Sequence, residues 1–76
     1  MEEKILDILE DICQDPIVRE ARDINLLEND LIDSMDYTEL LVRVEEELGI
    51  IVSPSELTRE EMDTPNKIIS QIVRRA

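Results

Sequence analysis

Apolar residues in this chain recur mostly at helical spacing. Ile5, Ile8, Leu9 and Ile12 fall at i, i+3, i+4 and i+7, which predicts a first helix over Glu3 to Gln14. Glu3, Asp7, Glu10, Asp11 and Gln14 are left for its wet side. Pro16 disfavours helix at Asp15 and should end it there. The strongest stripe follows later. Tyr37, Leu40, Leu41, Val44 and Leu48 predict a helix over Ser34 to Leu48, capped by Asp33 or Ser34 and closed by Gly49. Asp36 suits the positive first turn of that helix, and Glu39 and Arg43 are spaced as an i, i+4 ion pair.

Between these helices, residues Asp15 to Asp33 carry Ile17, Val18, Ile24, Leu26, Leu27, Leu31 and Ile32 at no sustained period. Such a loop is expected to lie down on the core, with at most a turn of helix, and long loops of this kind often serve function. Ile50-Ile51-Val52 reads as an apolar wedge between helices. Ser53-Pro54-Ser55-Glu56 and Thr58 with Glu61 both fit the S/T-x-x-E capping pattern, giving two competing starts for one short helix over 54–62. Thr64-Pro65 opens a last helix whose apolar face is Ile68, Ile69, Ile72 and Val73, with Arg74 and Arg75 at its negative end. The expected fold is all-α: one domain over residues 1–76, a four-helix bundle with a short third helix and a long loop between helices one and two.

Composition narrows the class of function. The chain has 76 residues, 42% of them hydrophobic and only one aromatic, Tyr37, so the core must be aliphatic. A chain this short buries only about 60% of its unfolded surface and has little core to give up for a deep cleft. Net charge is −12, which disfavours nucleic acid and anionic lipid; it suits a basic protein partner, and composition alone equally allows that it only confers solubility. Histidine is absent, so no His-based triad or dyad can form. The single Gly49 makes no phosphate loop, and Asp30, Asp33 and Asp36 lack the spacing of a calcium site. No metal site and no enzyme is expected. Cys13, the one cysteine, sits beside Ile12 at the stripe's edge and reads as a boundary residue. No signal-type or membrane-length apolar run occurs, so the expected location is cytoplasmic.

One residue stands apart. Ser34 follows Asp33 where the long loop meets the best helix. A helix start offers unpaired N–H groups and a positive dipole end, which suit a phosphate ester, although an ordinary cap has the same appearance. Charge distinguishes this site from other helix starts. From Asp23 to Val42 there are six acids and no Lys or Arg, while all eight basic residues lie elsewhere. Met35 adds an apolar neighbour to that acidic field, the composition of a docking surface.

Asp33-Ser34-Met35-Asp36, followed by Glu39-Leu40 and Glu45-Glu46-Glu47-Leu48-Gly49-Ile50, resembles the signature of the acyl carrier protein family. The similarity runs from about Ile5 to Val73. It implies that Ser34 bears 4′-phosphopantetheine as a covalent cofactor, attached by a phosphopantetheinyl transferase. Cys13-Gln14-Asp15 and Thr64-Pro65-Asn66 resemble the D-alanyl carrier branch of the family, as does Met35 in place of leucine. That branch implies a D-alanine adenylating ligase and a membrane-bound D-alanyl transfer apparatus as partners, serving D-alanylation of teichoic acids. Asp36 is nearer to generic carriers, so a fatty acid, polyketide or peptide cargo stays open, as does an unmodified acidic binding module. Asp33, Met35, Glu39 and Val42 are the candidate partner-docking residues, on a monomer. A D-alanyl ammonium is costly to bury in an aliphatic core, so the charged arm is expected to stay in solvent.

Overall fold

A computed structural model describes the backbone of residues 1–76 and every side chain except those of residues 54 and 59. Four α-helices follow in order: α1 (Glu2–Cys13), α2 (Ile17–Glu20), α3 (Ser34–Leu48) and α4 (Pro65–Val73). The all-helical bundle agrees with the sequence pattern. α1 is its central element, packing against each of the other three helices.

The aliphatic stripe of α1 explains that position. Ile5, Leu6, Ile8 and Leu9 are all fully buried. Leu6, outside the i, i+3, i+4 stripe, widens the apolar face so that α1 can meet several neighbours. Burying each such side chain contributes about 1.5–3 kcal/mol. α1 stops at Cys13, where Gln14 turns left-handed (φ 55°) and donates its N–H to Glu10 O. Asp15 Oδ1 then accepts from Ile17 N at 3.0 Å and starts the single turn of α2.

The long connection lies down on the core, as its apolar content requires. Val18, Leu26 and Ile32 are buried, and Ile24, Leu27 and Leu31 pack against the core. Two backbone hydrogen bonds tie it to the far end of the chain: Leu26 N donates to Asp63 O at 2.8 Å, and Asn66 N to Arg22 O at 3.0 Å.

Three local expectations change. The segment over 54–62 forms two 3₁₀ turns, Pro54–Glu56 and Arg59–Glu61, rather than one short α-helix. Both capping patterns are used. Ser53 N donates to Glu56 Oε2, and Thr58 N donates to Glu61 Oε1. Leu57 is extended between them (φ −128°, ψ 143°), which interrupts helical hydrogen bonding. In the apolar run, Ile50 and Val52 are buried but Ile51 is 73% exposed, because the backbone there is extended and alternate residues face opposite ways. Val73, expected on the apolar face of α4, is exposed; Pro65, Ile68, Ile69 and Ile72 form the buried face instead.

Candidate functional site

Ser34 is the first residue of α3 and is exposed. The cap position belongs to Asp33. Its carboxylate accepts from Asp36 N at 2.9 Å, while Asp33 N donates to the Asp36 carboxylate at 3.1 Å. In this reciprocal capping box it is the Asp33 carboxylate that satisfies the Asp36 N–H. A phosphate ester on Ser34 would lie at the first turn of α3, the positive end of a 15-residue helix. The exposure of Ser34 and this position fit a phosphopantetheine attachment.

The candidate docking residues divide in two. Met35, Glu39 and Val42 fall at i, i+4 and i+7 and share one face of α3. Met35 is 81% exposed, Val42 is 46% exposed, and Glu39 is exposed between them. Asp33 is exposed as well, but its carboxylate is committed to the cap.

The expected Glu39–Arg43 pair does not form. Arg43 lies between α3 and α1 and donates to Asp11 and to Glu47 Oε2 instead. Other cations are also engaged away from Ser34. Arg19 pairs with Glu3, Asp7 and Glu10, Arg22 with Glu2, Lys67 with Asp63, and Arg75 with Glu56. Among the described residues, none of Glu28, Asp30, Asp33, Asp36 and Glu39 takes part in an ion pair. The negative field around Ser34 is therefore left available to a basic partner.

Ser34 lines an open groove of about 370 Å³. Ser34, Thr38 and Thr58 supply its polar groups. Leu41, Leu57, Met62 and the ring of Tyr37 supply its apolar surface. Tyr37 is only 9% exposed, and its hydroxyl donates to Met62 O at 2.8 Å. The sequence pattern placed Tyr37 in the apolar stripe but gave no role to its hydroxyl. The partner of that hydroxyl is 25 residues away. No spacing rule reaches that far.

Cys13 is half-buried and packs against the core. Burial, then the carboxylates of Asp36 and Asp15, push its thiol up to about 11. It stays protonated at neutral pH and offers no nucleophile. Among the described residues, no group of three or more Cys, Asp or Glu side chains could hold a metal ion. No described helix is long and apolar enough to cross a membrane.

The two short motifs at the helix ends have structural roles. Gln14 closes α1, and Asp15 starts α2. Thr64 caps α4 by accepting from Lys67 N at 3.2 Å. Asn66 holds the long connection, donating from Nδ2 to Asp23 Oδ1 at 2.8 Å. Both motifs set the path of the connection that delivers the chain to Ser34.

A family model described as "Phosphopantetheine attachment site" matches residues 3–72. Among curated proteins, the chain is 45% identical over 75 residues to a "D-alanyl carrier protein" of Abiotrophia defectiva, covering 99% of this chain and 95% of the relative. It is 40% identical over 70 residues to the protein of that name from Bacillus subtilis (strain 168), covering 92% and 90%. A third, from Bacillus cereus (strain B4264), is 43% identical over 70 residues, covering 92% and 89%.

Proposed function

The chain belongs to the phosphopantetheine attachment family, and from that premise we propose that it is a carrier protein bearing 4′-phosphopantetheine on Ser34 and holding D-alanine on that arm. The observation that carries this reading is an exposed serine at the first position of α3, beside an aspartate that already does the capping. The D-alanine assignment rests on the named relatives and on the two helix-end motifs.

Ser34 Oγ is the nucleophile in attachment. It forms a new bond to the phosphorus that carries the pantetheine, and the bond from that phosphorus to the adenosine bisphosphate portion of coenzyme A breaks. The hydroxyl proton goes to a base supplied by the phosphopantetheinyl transferase, since the chain has no histidine. Once attached, the arm supplies a mobile thiol that holds cargo as a thioester.

The chain's own contribution is presentation. The positive end of the α3 dipole favours the phosphate end of the arm. Met35, Glu39 and Val42 form an apolar and acidic face for successive partners, and Asp33 adds charge beside the attachment point. Those partners are the transferase, a D-alanine adenylating ligase and a membrane-bound D-alanyl transfer apparatus that passes the cargo to teichoic acids. Each must dock near one serine, so a shared basic footprint is the economical solution.

Cargo is tested by incubating the phosphopantetheinylated chain with the D-alanine ligase, ATP and D-alanine. An aminoacyl thioester, read by intact mass and released by hydroxylamine, is expected. No thioester from D-alanine, together with ready loading by a fatty acyl ligase, would establish a generic acyl carrier instead.

A further inference from the structure

The groove at Ser34 is lined by residues of α3 and of the segment of the two 3₁₀ turns, Tyr37 and Met62 among them. These two residues do more than line it. The phenolic O–H of Tyr37 donates to the Met62 main-chain carbonyl at 2.8 Å, and both residues are buried. The bond fastens the start of the apolar stripe of α3 to Met62, just past the second 3₁₀ turn. The aromatic ring lines the groove and is almost wholly buried, and Leu40 and Val44, later residues of the same stripe, have no exposure at all. Tyr37 is the one aromatic residue in the chain, so no other side chain combines this bulk with a polar tip.

We propose that Tyr37 determines cargo specificity by closing the interior of the bundle beneath Ser34, so that cargo stays in the open groove and a long aliphatic chain finds no burial. The inference rests on the attachment of the arm to Ser34. A short, charged aminoacyl group loses nothing by staying in solvent. A fatty acyl chain, which would gain from burial, is left exposed. Selectivity thus comes from withholding a compartment as well as from partner recognition.

The test loads acetyl- or octanoyl-phosphopantetheine onto the full chain with a broad-specificity transferase and the corresponding acyl-coenzyme A. Intact mass first confirms the gain, and Ser34→Ala is the control. Two quantities are then read: the methyl NMR shifts of Leu40 and Val44, and the rate of thioester cleavage by hydroxylamine relative to the free acyl-pantetheine. In the natural chain, octanoyl and acetyl forms should give the same core shifts and unprotected cleavage. In Tyr37→Val, octanoyl alone should move the core shifts and slow cleavage by about tenfold, the population shift that burial of several methylenes can support. Tyr37→Phe keeps the ring and loses the tie, and should fall between the two. Octanoyl protection in the natural chain would overturn the proposal whether or not either variant folds. So would a helical, folded Tyr37→Val that leaves octanoyl unprotected. Absence of any mass gain at Ser34 would remove the attachment reading, and this inference with it.

Discussion

Asp33 and Asp36 cap each other: each carboxylate accepts the other's backbone N–H, at 2.9 and 3.1 Å. Ser34 lies between them on the first turn of α3, with the cap already provided. The pair does two things at once. It fixes the start of the helix, and it sets two negative charges beside the exposed hydroxyl.

Replacing Asp33 by alanine should therefore cost stability before it costs anything else. The Asp36 N–H loses its acceptor, a change of about 1 kcal/mol, lowering Tm by about 4–8 °C in a domain of this size. Thermal unfolding followed by circular dichroism reads it. An unchanged Tm would mean that the Asp33 carboxylate does not carry the cap, contrary to its 2.9 Å bond from Asp36 N.

Glu39 makes the opposite prediction. It is exposed and has no ion-pair partner among the described residues, since Arg43 turns to Asp11 and Glu47. Glu39→Lys should leave stability within about 0.5 kcal/mol. It should lower kcat/KM for arm transfer by roughly two- to tenfold at low salt, with the deficit shrinking as salt screens the field. A salt-independent loss, or none, would take Glu39 out of the docking face.

The Cys13 thiol, held at about 11 by burial and by Asp36 and Asp15, should be slow to alkylate in the chain that lacks the arm. Against a free thiol near 9.0, the thiolate fraction at pH 8 falls about a hundredfold, partly offset by about a tenfold gain in intrinsic nucleophilicity. Alkylation about tenfold slower than for the urea-unfolded chain is expected. The sign for stability follows from the raised value. The folded thiol keeps its proton longer than the unfolded one, so this contribution is intact below pH 9 and is lost as pH rises towards 11. Equal alkylation rates in folded and unfolded chains would contradict the burial of Cys13.

The helices were legible because their signals are local. Ser34–Leu48 shows its stripe, its cap and its closing glycine within a single stretch, and both ends fall where the pattern puts them. Pro65 and Thr64 mark α4 in the same way. Ambiguity came where local signals competed. The starts at Ser53 and Thr58 each captured one 3₁₀ turn, with Leu57 extended between them, because neither cap could extend through the other. Long-range partners were not legible at all. Arg43 had a suitable acid at i−4 and used one on α1, and the hydroxyl of Tyr37 found a carbonyl 25 residues away. At the candidate site, Ser34, Met35 and Val42 are exposed. Of the two cap candidates it is Asp33 that serves, and Asn66 braces the long connection through Asp23, a partner 43 residues away that no local pattern reaches.

The central claim is tested most directly by intact mass after incubation with a phosphopantetheinyl transferase, Mg²⁺ and coenzyme A. The natural chain should gain the mass of one phosphopantetheine, and Ser34→Ala, with its helical spectrum unchanged, should gain none. An equal gain in Ser34→Ala, or no gain in the natural chain with a transferase proven active on another carrier, would contradict the account.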